Sequence, residues 1–201
     1  MINSKIFIVG IAFVVGVLGG YSIRGNSPKT SESAMTPTPV MSPKTADEKI
    51  TNAMSAAPGA IASKAAILDW PAKESDPFPT LRAGTNGWTC FPDTPTTPGN
   101  DPICVDAAAM QWFGAYLAHK TPKISQPGLA YMLQGGSDPS NTDPYATEPK
   151  PGESWMSAPA HVMIFPSQKL DVKVYGTDPD SGKPWIMWAG TPYEHIMMPV
   201  K

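Results

Sequence analysis

The first hydrophobic pattern in the chain is an apolar run from Ile6 to Ile23, which contains no charged residue and lies between Lys5 and Arg24. Its length is at the lower edge of the roughly 17–25 residues that cross a bilayer. Two interpretations stay open for residues 1–24: a retained signal anchor, or a signal peptide that is cleaved. With Lys5 on the inner side, both predict that the rest of the chain is extracytoplasmic, either membrane-anchored and facing the periplasm or secreted.

The pattern changes after Arg24, and residues 25–45 are mostly Ser, Thr, Pro and Lys. Such a segment has too little apolar surface to fold, so it is predicted to be a disordered linker. Residues 46–201 have the length of one domain that can bury its own core. We therefore expect a single globular domain behind the linker.

Two segments of this domain show the spacing of apolar residues that is typical of helices. Residues 47–56 are predicted as an N-terminal helix, with acidic residues at its positive end. The second begins at Asp101 as the N-cap, with Pro102 at the first helical position, and runs to about His119. This second helix is expected to be the central helix of the domain.

The other periodic segments are short and typical of strands. They are residues 66–70, 128–134, 157–166, 185–188 and 191–200. Helices in the first half and strands mainly in the second half predict an α+β fold with a small, mainly antiparallel sheet.

Cys90 and Cys104 are the only cysteines of the chain, and 13 residues separate them. In an oxidising compartment an isolated pair predicts a disulfide, which here closes a loop rich in Pro, Thr and Gly. A metal or redox role is the alternative, although the pair lacks the Cys-x-x-Cys spacing of redox motifs.

Composition narrows the classes of partner. The formal net charge is −2, and the arginines are Arg24 and Arg82 alone. No basic stripe is present to contact phosphates, which argues against nucleic-acid binding. The 24 prolines predict short elements and much ordered loop. The expected partners are the membrane, through an uncleaved N-terminal helix, and a protein or a polysaccharide.

Two strand-like runs near the end of the chain each contain histidine followed two residues later by methionine. Residues two apart in a strand point to the same face, so His161 and Met163 project together. The same holds for His195 and Met197. If the two strands are neighbours, two imidazoles and two thioethers form a set that suits copper, especially Cu(I). The alternative is that both histidines are buried structural residues in strands covered on both faces.

The loop after the strand at 128–134 is rich in oxygen donors, among them Asp138, Asn141 and Asp143. These side chains suit a hard cation such as calcium, which is the second candidate cofactor. Asp and Asn beside Pro or Gly are equally typical of turns, because they hydrogen-bond the backbone two residues on.

Two single features of the sequence suggest further functions. Ser137 follows a pair of glycines and suggests a hydrolase in which a histidine serves as the base, but the Gly-x-Ser-x-Gly elbow is missing. The six tryptophans suggest either core packing or an exposed ring that stacks on a sugar or a protein partner. The sequence as a whole favours a non-catalytic binding or interaction domain, with copper binding and Ser137 hydrolysis as the alternatives.

Four short sequence segments of the domain carry a family resemblance. They are GTNGWTC at 84–90, YMLQGGSD at 131–138, NTDP at 141–144 and GTPYEHIMMPV at 190–200. Together they resemble an uncharacterised family of exported bacterial proteins. The resemblance implies one exported unit, and it implies no activity, ligand or catalytic residue.

Overall fold

The structure, a computed structural model, describes residues 42–73 and 76–200. The predicted signal anchor or signal peptide and residues 25–41 of the predicted linker lie outside this part. No helix among the described residues combines the length and the apolar character that crossing a membrane requires. The last linker residues belong to the domain, because the Ser42 hydroxyl donates to Asp93 at 2.7 Å and Thr45 caps the first helix.

The domain contains four α-helices, one short 3-10 helix and ten strands among the described residues. The helices are α1 (Ala46–Met54), α2 (Gly59–Ala62), α3 (Ala107–Leu117) and α4 (Val172–Tyr175), and the 3-10 helix is Pro179–Ser181. The strands are β1 (Ala66–Leu68), β2 (Thr80–Arg82), β3 (Thr89–Phe91), β4 (Ile103–Val105), β5 (Gly128–Met132), β6 (Gly136–Asp138), β7 (Met156–Ala158), β8 (His161–Phe165), β9 (Trp185–Met187) and β10 (His195–Pro199).

Eight of the strands form one sheet in the order β2-β1-β3-β4-β5-β8-β10-β9, and β6 and β7 form a separate two-stranded sheet. Strands β1 and β3 run parallel, and all other neighbours run antiparallel. The α+β class and the mainly antiparallel pairing are confirmed. The expectation of a small sheet is wrong, because five of its eight strands are only three residues long and too short to show alternation.

The central helix begins later than predicted. Asp101 and Pro102 do not start it; the next three residues form β4, and the helix begins at Ala107. Asp106 is the N-cap, and its side chain accepts from the backbone N–H of Ala109 at 2.7 Å. The segment that forms β4 is a strand because Cys104 pairs directly with Cys90 in the β3–β4 ladder. The predicted Cys90–Cys104 disulfide forms at this position.

Two other predicted elements are present with different bounds. The run 157–166 is interrupted before His161, so its first residues pair with β6 and its later residues join the main sheet as β8. The N-terminal helix is confirmed, and it begins with a capping box in which Thr45 and Glu48 bond each other's backbone.

The large sheet separates two clusters of buried side chains. Adjacent residues of a strand point to opposite faces, and Cys90 belongs to one cluster while Phe91 belongs to the other. The first face is covered by α1 and α2 and contains the disulfide. On the second face α3 lies against β5, where a Cβ on Gly128 would overlap the backbone of Ala109. Beyond this close contact, the second face bounds a cavity.

Candidate functional site

A cavity of about 420 Å³ lies against the second face of the large sheet. Its floor comes from β5, β8, β9 and β10, one wall comes from α3, and the β6–β7 sheet and the loop 94–101 form the rest. Thr96 lines the cavity and is itself exposed, which places an opening beside this loop.

Five thioethers line this cavity. They belong to Met132, Met156, Met163, Met187 and Met197. In the sheet Met163 lies opposite Met197, and Met132 lies opposite His161. The floor is therefore soft and polarisable, and it has an imidazole at one end.

The structure brings together the four residues that were predicted from the two His-x-Met runs. Strands β8 and β10 are antiparallel neighbours, and all four side chains line the cavity. The register separates the two imidazoles, however, because His161 lies opposite Pro199 at the far end of β10 from His195. Four residues of strand correspond to about 13 Å, so the two histidines occupy different ends of the cavity.

His161 is a buried polar residue in the lining of the cavity. It is 1% exposed, and its Nδ1 lies 2.7 Å from the carbonyl oxygen of Pro159. Burial lowers the pKa of His161, so the ring is neutral near pH 7. Since a carbonyl oxygen only accepts, Nδ1 carries the proton and Nε2 presents a lone pair. Nε2 is buried and has no hydrogen-bond partner among the described residues.

Met132 is the cross-strand neighbour of His161 in the β5–β8 ladder. The position that a Cβ on Gly136 would take lies 3.6 Å from Sδ of Met132 and 3.4 Å from Cε1 of His161. Sequence reasoning did not select Met132, because only the β5–β8 register places it beside His161. Its place in an alternating run predicted a strand, without identifying the neighbouring strand.

His195 occupies an aromatic environment. Its ring centroid lies 5.6 Å from that of Trp112, 5.3 Å from that of Phe165 and 5.1 Å from that of Trp188. Its Nδ1 lies 3.0 Å from the carbonyl oxygen of Tyr193. Burial lowers the pKa of His195 to about 4, so it is a neutral ring near pH 7.

Two carboxylates, those of Asp101 and Asp138, line the cavity beside the hydroxyl of Ser137. The Ser137 hydroxyl lies 3.1 Å and 3.0 Å from the two carboxylate oxygens of Asp101, and Ser137 N–H donates to Asp101 at 3.0 Å. Burial raises the pKa of Asp138 to about 7, and the nearby charge of Asp101 adds to the increase. Burial also raises the pKa of Asp101. Neither Asp101 nor Asp138 has an ion-pair partner among the described residues.

The serine–histidine arrangement that a hydrolase needs is not formed in the described residues. The hydroxyl of Ser137 is held by Asp101 and also accepts from Gly99 N–H at 3.0 Å, and no hydrogen bond joins it to a histidine. A nucleophilic serine is activated by a base within hydrogen-bond reach. The geometry therefore gives no support to hydrolysis by Ser137.

The three residues of the predicted calcium loop are used separately. Asp138 accepts from Ser140 N–H at 2.8 Å, and Asp143 accepts from Tyr145 N–H at 3.0 Å, so both form turns. Asn141 bonds the Thr177 carbonyl at 2.9 Å and the Trp185 indole at 3.2 Å. The described part of the chain contains no group of three or more His, Cys, Asp or Glu residues that could hold a metal ion.

Aromatic rings form much of the remaining cavity wall. They belong to Trp70, Trp112, Phe113, Tyr116, Phe165 and Trp188. Trp188 has a φ of 53°, which is uncommon for a residue with a side chain, and its indole N–H donates to the Ser140 carbonyl at 2.9 Å. All six tryptophans of the chain are buried or half-buried, so no exposed indole is available to stack on an external partner.

The candidate site thus consists of one cavity lined by aromatic rings and thioethers. Among the described residues, the Nε2 of its His161 has no hydrogen-bond partner, and its two carboxylates have no ion-pair partner. No protein-family model, no curated protein and no solved structure matches this chain.

Proposed function

We propose that this chain is an exported, non-catalytic domain that binds a small ligand inside the cavity. The observation that carries the proposal is a cavity of about 420 Å³ lined by His161, whose buried Nε2 has no hydrogen-bond partner among the described residues. Ligand sites are typically concave and mostly apolar, with volumes of about 300–1,000 Å³ and a few polar groups that orient the ligand. Buried polar atoms normally have a hydrogen-bond partner. The lack of one for His161 Nε2 among the described residues therefore supports the proposal that this atom contacts a ligand.

The extracytoplasmic location is part of the same proposal. The Cys90–Cys104 disulfide is consistent with an extracytoplasmic soluble domain, because such bonds persist in oxidising compartments. The apolar run at 6–23 favours export, through either an anchor or a cleaved signal, and it lies outside the described residues. Fractionation of cells that express the full chain, followed by mass spectrometry of its N-terminus, distinguishes an anchored form from a cleaved one.

The cavity can be tested by filling it. A Cβ on Gly136 would lie 3.0 Å from Met132 and 3.4 Å from His161, so Gly136→Leu places a side chain inside the cavity. The matched control is Gly114→Leu, because an added Cβ at this exposed position of α3 meets nothing within 4 Å. Binding of the neutral fluorophore N-phenyl-1-naphthylamine to the purified full chain is the readout. We expect Gly136→Leu to weaken binding by about tenfold or more, whereas equal binding by all three proteins contradicts the proposal.

Copper is a second candidate ligand, and the register of three strands favours it. Met132 lies opposite His161, Met163 follows two residues along β8, and Met197 lies opposite Met163. One imidazole nitrogen with a free lone pair and three thioethers form a soft donor set that selects Cu(I). This set differs from the one predicted from the sequence, since Met132 takes the place of His195.

The copper proposal is tested by titrating the purified full chain with Cu(I) in competition with a chromogenic chelator. His161→Ala and Met132→Leu are expected to weaken Cu(I) binding at least about tenfold, and His195→Ala is expected to retain it. Met198→Leu is the control for Met132→Leu, because Met198 is absent from the residues that line the cavity. A loss that follows His195 instead of His161 would contradict this donor set.

A further inference from the structure

The charged residues of the cavity all have one sign. Asp101 and Asp138 contribute carboxylates, and none of the described residues that line the cavity is lysine or arginine. The ion pair seen among the described residues, Lys49 with Asp69 at 2.7 Å, involves neither of them. Both histidines are neutral, so they supply no compensating positive charge. The only side-chain charge that the described lining can carry is therefore negative, and it increases as the pH rises through the pKa of Asp138 at about 7.

Aromatic rings line the same cavity as these carboxylates. Tyr116 lies at the centre of a group of nearly parallel rings, with centroids 5.8 Å from Trp112, 5.4 Å from Trp188 and 6.2 Å from Phe113. The face of an aromatic ring carries negative charge density and attracts a cation. The thioethers of the floor are polarisable and add no positive charge.

These two features together narrow the ligand class. We infer that the cavity binds an organic cation, a protonated amine or a quaternary ammonium group, with its charge near Asp138 and its alkyl groups against the aromatic wall. The inference rests on the proposed function, because it names the ligand of the same cavity. Sites for quaternary ammonium ligands are commonly built from aromatic rings, and a carboxylate in a desolvated site gains from a cationic partner.

Other classes of ligand fit the cavity less well. An anion would be repelled by the carboxylates, because charge interactions are stronger in a partly buried site than in bulk water. A neutral apolar molecule would bury the carboxylates further and leave them unpaired, which costs free energy. An organic cation can pair with the carboxylates and make cation–π contacts with the aromatic rings in one position.

A pair of probes with the same shape isolates the effect of charge. Choline and 3,3-dimethyl-1-butanol differ in that a quaternary carbon replaces the ammonium nitrogen. Isothermal titration of the purified full chain is expected to show choline binding at least about tenfold more tightly than the alcohol, and choline is expected to displace N-phenyl-1-naphthylamine.

Two carboxylate variants locate the charge that is responsible. Asp138→Asn keeps the oxygen that accepts from Ser140 N–H and removes the negative charge. It is expected to weaken choline binding at least about tenfold and to leave binding of the alcohol unchanged. Asp143→Asn is the matched control, because Asp143 is an exposed turn carboxylate that does not line the cavity, and it is expected to change neither affinity.

The outcomes separate this inference from the proposed function. Equal affinities for choline and the alcohol, or no choline binding while N-phenyl-1-naphthylamine still binds, would overturn the organic cation and leave a ligand-binding cavity. Choline binding that is indifferent to Asp138→Asn would also overturn the inference. If none of the three probes binds and Gly136→Leu matches Gly114→Leu, the proposed function itself fails.

Discussion

Burial moves the pKa values of the residues around the cavity in opposite directions. Because burial penalises the charged form, the pKa of Asp138 rises to about 7 and the pKa of His195 falls to about 4. The carboxyl group therefore binds protons on folding, whereas the imidazole releases them. Their effects on stability oppose each other over the same pH range, so a variant of one residue is needed to separate them.

The Asp138 carboxyl group is expected to cost stability as the pH rises. Its folded pKa of about 7 lies above its unfolded value near 3.8, so its favourable contribution is complete below pH 3.8 and is lost as the pH approaches 7. Asp138→Asn removes this dependence. Urea unfolding at a series of pH values should show the variant gaining roughly 1–3 kcal/mol on the wild type between acidic and neutral pH.

The exposed carboxylate variant Asp143→Asn provides the comparison for this measurement. Its difference from the wild type is expected to lack the trend across pH 4–7 that is expected for Asp138→Asn. A flat difference curve for Asp138→Asn as well would contradict the assignment of a raised pKa to this residue.

At the scale of elements, the position of α3 determines the depth of the cavity. The helix approaches β5 where Gly128 leaves no room for a Cβ against the backbone of Ala109. Its first turn is held by Asp106, and its middle contributes Trp112, Phe113 and Tyr116 to the cavity wall. The contact of α3 with the sheet and the N-terminal cap of α3 are therefore both expected to affect the position of the cavity wall.

Gly128→Ala is expected to push α3 away from the sheet. Overpacking of this kind costs about 1–3 kcal/mol, and the displaced wall should also weaken N-phenyl-1-naphthylamine binding. Gly114→Ala makes the same chemical change on the exposed side of the helix, where an added Cβ meets nothing within 4 Å. It is expected to stabilise the protein by roughly 0.5–1 kcal/mol, because alanine favours helix. Thermal and urea unfolding should therefore show changes of opposite sign, and a stabilising Gly128→Ala would contradict the close contact.

The N-cap of α3 gives a second prediction at this scale. Asp106→Ala leaves Ala109 N–H without its side-chain acceptor and is expected to lower the free energy of unfolding by about 1 kcal/mol. Asp106→Asn keeps an oxygen acceptor and should retain most of the stability. Urea unfolding measures the loss of stability in each variant. Equal losses in the free energy of unfolding would indicate that the negative charge of Asp106 contributes more than its hydrogen bond.

At the scale of the whole molecule, the large sheet separates the disulfide from the candidate site. Cys90 and Cys104 belong to the buried cluster that contains Ala53 of α1, while Phe91 and Val105 belong to the cluster on the cavity side. Cys90 and Cys104 are cross-strand neighbours of β3 and β4. Phe91 and Val105 follow them directly along the two strands and therefore point to the opposite face. The covalent link and the ligand cavity are therefore expected to be separable by mutation.

The double variant Cys90→Ala/Cys104→Ala is expected to lose stability without losing the site. Opening a loop of this size costs about 3 kcal/mol in the chain-entropy treatment of disulfides. Under conditions in which the variant is still folded, its affinity for N-phenyl-1-naphthylamine should match that of the wild type. Urea unfolding and the fluorescence titration test the two parts, and a large loss of affinity in the folded variant would contradict the separation of the two faces.

Local patterns in the sequence determined several features that the structure confirms. The α+β class, the helix at the start of the domain, the disulfide, and strands within the predicted runs 128–134, 157–166 and 191–200 all follow from periodicity, capping residues and cysteine count. Each of these features depends on residues close together in the chain. For the same reason alternation placed His161 with Met163, and His195 with Met197, on common strand faces.

The tertiary structure alone decided what these strands lie beside. The strand order gives a sheet of eight strands. The strand register places Met132, and not His195, beside His161. Ser137 and Asp101, which are 36 positions apart in the chain, are joined by a hydrogen bond. Asp101 itself changed from a predicted helix cap to a buried carboxylate of the cavity. Contacts between distant segments depend on the total burial and pairing of the sheet, which no local window of sequence contains. Local sequence patterns therefore identify some of the candidate residues, such as His161 and Met163, whereas contacts between distant segments add Met132 and Asp101 to the same cavity.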